Sequence, residues 1–339
     1  MHRSEITINL GAVRRNAHVL LDALGGARLW AVVKADGYGH GATDVAGAAL
    51  TAGASALCVA TVPEALALRR EFPAARIIVM GPALDREVGR ARDAHVELVV
   101  SSADVPPGVR VHVKLDTGMG RWGVSELMSP ALEVVGLMSH LATADTDAAF
   151  AEWQIERFRQ ATAPYTHLER HIANSAAALR YPSAAFDAAR CGIALYGLSP
   201  FGTDPAEDGL HPVLSWSSHV ALVRRLRTGE STGYGRRFVA ESDTWIGIVP
   251  VGYADGFRRD MMGTTVRIDG EPRRVVGTVS MDAFAVELDG EVPVGAPVTI
   301  IGGGVLAEEH ARIAGTITYE IACGIDSSPL RARRIVVDA

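Results

Sequence analysis

Eight short apolar runs, "LWAVVKA", "ALCVAT", "RIIVMG", "VELVVS", "RVHVKLD", "VVGLMSH", "HLERHIAN" and "GIALYG", follow one another through the first two thirds of the chain. Between them lie segments of helical character such as "PEALALRREF" and "FAEWQIERFRQATA". Strands alternating with helices predict a parallel α/β sheet, and eight such units predict a closed (β/α)8 barrel of the TIM type. Two links are thin. "SADVPPG", before "VRVHVKLD", and "VSELMSPALE", before "VVGLMSH", fall short of the roughly dozen residues a crossover needs. Their helices are predicted to be stunted or absent.

The first residues, "MHRSEITINL", alternate Ile6, Ile8 and Leu10 with polar positions, which reads as a strand and not as a signal peptide. From about His211 the pattern changes to Gly and Pro punctuation between alternating runs. "RIDGEPRRV" places an Asp-Gly turn between two of them, a hairpin signal. The expected division is therefore residues 1–10 as a strand joining a β domain, 11–211 as the barrel and 212–339 as a C-terminal, mostly β domain. The long uncharged stretch Val45 to Val62 is built of small residues and interrupted at Gly53, so a helix followed by a strand is predicted there in place of a membrane span.

Composition narrows the function classes. The 339 residues are 48% hydrophobic and 21% charged, with a net charge of −6. This describes an enzyme-sized globular chain and offers no basic footprint for nucleic acid or an anionic membrane. Three cysteines, Cys58, Cys191 and Cys323, stand far apart with no CxxC pairing. Neither a disulfide framework nor a metal site is expected, and a reducing cytoplasm fits best.

The first barrel strand ends in "WAVVKADGYGHG". On its own Lys34 suits a solvated strand end as well as a catalytic role, but the C-terminal end of a barrel strand is where such folds carry their chemistry. The motif "AVVKADGYGHGA" resembles the pyridoxal-phosphate lysine motif of the alanine racemase family. The likeness continues in family order through "VKLDTGMGRWG", "SHLATAD", "HIANSAA", "RCGIALYGLSP", "VPVGYADGF", "SMDAF" and "TYEI". A series of that length is specific where "GYG" or "DTG" alone carries nothing.

The resemblance implies an isomerase that uses pyridoxal 5'-phosphate to interconvert L- and D-alanine, supplying D-alanine for peptidoglycan. It implies that Lys34 holds the cofactor and then acts as one base. Such a dual role needs a primary amine in a setting that favours its neutral form. It implies Tyr253 of "GYADG" as the base on the opposite face, contributed across a homodimer interface, with His140 coupling it to Arg190. Arg190 matches an arginine facing the pyridine nitrogen, and a guanidinium donates without exchanging its proton. Tyr38, Ser175, the backbone at Gly192 and Ile193, and Tyr319 match the phosphate site. His171 and Asn174 match its supports. Arg121 matches a contact to cofactor and substrate carboxylate, and Met281 and Asp282 match substrate contacts. Lys114 matches a lysine that family members often carry carbamylated.

Two departures stand out. Ser280 and Thr278 occupy positions where the family often has cysteine and arginine, and "CGIDSSPLRARR" is a loose match to the usual ending that leaves the role of the terminal arginines open. Competing expectations are a serine or broad-specificity racemase, an amino-acid decarboxylase on the same architecture, and a non-catalytic cofactor carrier. The decarboxylases typically offer a cysteine where this chain offers Tyr253, and a carrier needs no second base.

Overall fold

The structure, a computed structural model, describes residues 2–102, 104–127 and 131–339. It divides into two compact units, one of residues 12–201 and 206–211, the other of 1–11, 202–205 and 212–339.

In the first unit eight parallel strands follow in chain order: β2 (Arg28–Val32), β3 (Ala56–Val59), β4 (Ile77–Val79), β5 (Glu97–Val100), β6 (Val111–Lys114), β7 (Val134–Met138), β8 (Glu169–His171) and β9 (Ala188–Cys191). The ladder runs β8-β7-β6-β5-β4-β3-β2-β9. Between its two edges, Asp187 N donates to Arg170 O (3.0 Å) and Arg190 N to Ala173 O (3.0 Å). The sheet is therefore the expected TIM-like barrel. Every residue of β3 and β4 is buried, which explains why these strands read as unbroken apolar runs. "PEALALRREF" forms the helix Val62–Glu71, started by a capping box between Thr61 and Glu64. "FAEWQIERFRQATA" lies in the helix Ala148–Thr162. Ala103 and residues 128–130, within the two thin links, lie outside the described residues. Among the residues described, neither link holds a helix.

One strand assignment is corrected. "GIALYG" is not the eighth strand; that strand is Ala188–Cys191, and Ile193–Tyr196 forms a 3-10 turn. Gly192 turns the chain out of the strand at φ −114°, ψ −86°. Ser175 Oγ then accepts hydrogen bonds from the amides of Gly192 (3.0 Å) and Ala194 (3.3 Å). Four buried apolar residues look alike to a periodicity argument whether extended or coiled.

The second unit is built on nine strands: β1 (Glu5–Asn9), β10 (Leu214–His219), β11 (Leu222–Leu226), β14 (Thr244–Val249), β15 (Thr265–Ile268), β16 (Glu271–Val276), β17 (Phe284–Leu288), β18 (Pro297–Ile301) and β19 (Arg333–Val337). A separate two-stranded ribbon joins β12 (Ser231–Thr232) to β13 (Phe238–Val239). Strand β1 pairs antiparallel with β10 and parallel with β19, so the two chain ends share one sheet. The predicted hairpin is β15–β16, turning at Asp269 (φ 50°) and Gly270 (φ 84°), both left-handed as a two-residue hairpin turn requires. Among the described residues no helix is long and apolar enough to cross a membrane.

Candidate functional site

Strand β2 ends at Val32, and the chain enters a left-handed turn over Lys34–Tyr38 in which Ala35, Asp36, Gly37 and Tyr38 all have φ between 50° and 62°. Three of these are not glycine, and each such residue costs roughly 1–2 kcal/mol. The surroundings hold the turn. Glu64 accepts from Ala35 N (2.8 Å) with one carboxylate oxygen and from Ala60 N (2.8 Å) with the other, and Asp36 accepts from Ala42 N (2.9 Å). Strain maintained by its neighbours at a strand end is characteristic of functional positions. The turn presents Lys34 half-buried and folds Tyr38 inward. A methyl group on Gly192 would lie 2.4 Å from Tyr38 Oη, so that approach requires glycine.

Arg190, on β9 beside Trp30 of β2, is buried. Among the described residues none of its partners is a carboxylate. Its Nη1 donates to His171 Nδ1 (2.7 Å) and His171 O (3.1 Å). Its Nη2 donates to Ser139 O (2.8 Å), Ile172 O (3.3 Å) and His140 Nδ1 (3.3 Å). Burial lowers its pKa to about 10, which leaves it charged at neutral pH. Because a guanidinium only donates, both histidines accept at Nδ1 and carry their proton on Nε2. Burial first, then the charge of Arg190, holds both imidazoles well below the usual histidine range; Lys114, Arg121 and Lys34 add to the effect on His140.

The proton positions propagate through the barrel. His171 Nε2 donates to His112 Nδ1 (2.9 Å), and His112 Nε2 to Glu97 Oε2 (2.8 Å). Arg76 in turn bridges Glu97 (2.7 Å) and Glu169 (2.6 Å). Two imidazoles thus link a buried carboxylate to Arg190. Burial would raise the Glu97 pKa, but hydrogen bonds from His112 and Arg76 outweigh it and hold it at about 2, against an ordinary 4.5. A depressed carboxylate contributes stability that is complete above the ordinary value and is lost as pH falls toward the folded one. Glu97→Gln is therefore expected to cost on the order of 3 kcal/mol at neutral pH, with the gap from wild type narrowing between about pH 4.5 and about pH 2. Urea midpoints across that range check this; a gap independent of pH would refute it. The sequence reading missed Glu97 and His112. The available signal was polar residues inside strands: His112 and Lys114 are two apart on β6 and so share a face.

Lys114 is buried, and burial, then Arg121 and Arg190, lower its pKa to about 8, with Asp116 opposing. Asp116 itself accepts from the amides of Gly118 (2.9 Å), Met119 (2.9 Å) and Gly120 (3.1 Å), which shapes the loop leading to exposed Arg121. Asn174 caps the helix Ser175–Arg180 through Ala177 N (3.0 Å). Of the 33 basic side chains counted as Lys and Arg, only Lys34 and Lys114 are lysines, and both belong to this cluster. The cluster brings together Lys34, Tyr38, Lys114, Arg121, His140, His171, Asn174, Ser175, Arg190, Gly192 and Ile193. This set of cations, hydroxyls and amides, with a glycine cradle, fits a phosphorylated aldehyde such as pyridoxal 5'-phosphate.

Tyr253, Met281, Asp282 and Tyr319 lie in the β unit. Tyr253 begins a one-turn 3-10 helix, Tyr253–Asp255, and is 41% exposed. Its amide donates to Ser280 O (3.1 Å) and that of Ala254 to Met281 O (3.0 Å), so the "GYADG" and "SMD" segments are stitched together. Thr278 Oγ1 donates to Tyr234 O (2.8 Å). Tyr319 is the second residue of the helix Thr318–Gly324.

Comparison with known proteins matches residues 8–200 to the N-terminal domain model of alanine racemase and 213–335 to its C-terminal domain model. The alanine racemase of Lactiplantibacillus plantarum is 38% identical over 99% of this chain and 98% of its own. The biosynthetic alanine racemase of Pseudomonas aeruginosa superposes with TM-score 0.90 at 33% identity, over 99% of this chain and all of that one. The Bartonella henselae alanine racemase, solved with covalently bound pyridoxal phosphate, gives TM-score 0.87 at 25% identity, over 98% and 99% of the two chains.

Proposed function

The chain belongs to the alanine racemase family, and from that membership we propose that it interconverts L- and D-alanine with pyridoxal 5'-phosphate held at Lys34. The observation that carries the reading is the strained turn that sets one of only two lysines at the end of a barrel strand, among cations and hydroxyls. When bound, the cofactor supplies an aldehyde for amines and a conjugated ring that takes up electron density released at the α carbon.

Lys34 would hold the cofactor and, as a free amine, would take or return at Nζ the α proton on one face, that of D-alanine by the family resemblance. Tyr253, from the second subunit of a homodimer, does so at its hydroxyl on the other. His140 accepts from Arg190 at Nδ1 and so keeps a proton on Nε2 with which to couple to Tyr253. Arg190, which donates but does not release its proton, would face the cofactor ring as a hydrogen-bond donor and not as an acid. Ser175, whose oxygen already accepts two amides, would keep its own O–H for the phosphate, together with Tyr38 and the backbone at Gly192 and Ile193. Arg121, with Met281 and Asp282 of the second subunit, would orient the substrate. In solution with the cofactor, the optical rotation of either enantiomer is expected to decay to zero; a rotation retained from either side refutes the assignment.

Lys114 is proposed to carry a carbamate. An amine of pKa about 8 is roughly one-tenth neutral at pH 7, against less than about 0.1% for an ordinary lysine. Its Nζ attacks carbon dioxide, a C–N bond forms and one proton leaves to solvent, giving Arg121 an anionic partner. Carbon-13 NMR of protein equilibrated with labelled carbon dioxide is expected to show a carbamate signal that Lys114→Met abolishes. Its absence from the wild type refutes the modification.

A further inference from the structure

Asp255 is 1% exposed and accepts four hydrogen bonds or ion pairs around the Tyr253 turn. Its Oδ2 takes Gly252 N (2.8 Å) and Arg3 Nη2 (2.9 Å), and its Oδ1 takes Arg331 Nε (2.9 Å); its backbone oxygen takes Asp326 N (3.1 Å). The same two arginines reach Asp282 Oδ1, Arg3 at 3.2 Å and Arg331 at 2.9 Å, and Arg3 Nε also donates to Pro250 O (2.5 Å). Arg3 precedes β1 and Arg331 precedes β19, strands that pair with each other, so both chain ends converge on one loop. Gly252 is packed so closely that a methyl group there would lie 2.3 Å from Ser280 O.

The Tyr253 side chain is 41% exposed, so its placement depends on the backbone beneath it. We infer that Arg3 and Arg331 are positioning residues for the second base: they clamp the Pro250–Asp255 loop to the Met281–Asp282 segment through Asp255 and thereby set where the Tyr253 hydroxyl stands. This rests on the reading of Tyr253 as a base. It assigns the terminal arginines a role on one face of the α carbon only. Two guanidinium forks bridging two carboxylates define direction as well as charge, which a lysine ammonium cannot reproduce. A displacement of about 1 Å at a reacting group can cost up to roughly 10²-fold in rate.

The test is α-proton exchange in deuterated water, followed by proton NMR from D-alanine and from L-alanine separately, with holoenzyme of wild type, Arg331→Ala, Arg331→Lys and Tyr253→Phe. For Arg331→Ala at saturating alanine, where looser substrate binding through Asp282 no longer counts, exchange from L-alanine, whose α proton Tyr253 is proposed to take, is expected to slow by about 10- to 10²-fold, while exchange from D-alanine, whose α proton Lys34 is proposed to take, stays within about twofold. Arg331→Lys is expected to lie between, because it keeps the charge and loses the fork. Should Arg331→Ala fail to fold, that graded asymmetry in Arg331→Lys carries the test. Equal slowing on both faces, with Tyr253→Phe still one-sided, reduces the arginines to a purely structural role and overturns the inference. A symmetric loss in Tyr253→Phe itself overturns the reading of Tyr253 and the clamp with it.

Discussion

Lys34→Ala is expected to abolish racemisation and covalent cofactor attachment together. The loss should exceed the roughly 10²–10⁴-fold worth of a positioned general base, because the same amine also anchors the cofactor. The fold should survive. The turn that carries Lys34 is fixed by Glu64 and Asp36 bonding to the amides of Ala35 and Ala42, and neither bond uses the Lys34 side chain. Polarimetry on the variant, beside a thermal melt within a few degrees of wild type, checks both halves. Turnover retained without Lys34 would remove the basis for the assignment, since the other lysine of the chain, Lys114, sits buried on β6.

Tyr253→Phe should be nearly as severe by a different route. It deletes one oxygen from a side chain that is 41% exposed, so stability should hardly change. Racemisation should nevertheless fall by about 10²–10⁴-fold in both directions, because every turnover uses one face to remove a proton and the other to return it. Mixed dimers sharpen the expectation. A Lys34→Ala chain paired with a Tyr253→Phe chain, each inactive alone, should regain one working site per dimer if Tyr253 serves the partner subunit. No recovery in verified mixed dimers would assign both bases to one chain.

Much of the barrel was legible because its parallel strands are buried on both faces and read as short apolar runs. "RIIVMG" and "ALCVAT" contain strands whose every residue is buried. "GIALYG" shows the limit of that signal. Burial makes Ile193–Tyr196 apolar, while the conformation is decided by Ser175 binding the amides of Gly192 and Ala194 from a different segment. The residues closest to the expected chemistry were legible through family motifs, whereas their supports were not. Glu97 and His112 look like ordinary polar punctuation until two strands bring them to 2.8 Å. Arg3 and Arg331 meet Asp255 across 252 and 76 positions of sequence, separations at which no local pattern registers a contact.

Lys34, one lysine of two, is proposed to hold the cofactor and face the substrate. Borohydride reduction of the loaded protein fixes the covalent link as a stable secondary amine, and peptide mapping then locates it. A pyridoxyl group is expected on the peptide containing Lys34 and none on the peptide containing Lys114. A pyridoxyl group on Lys114, or cofactor that elutes unattached after reduction, would contradict it.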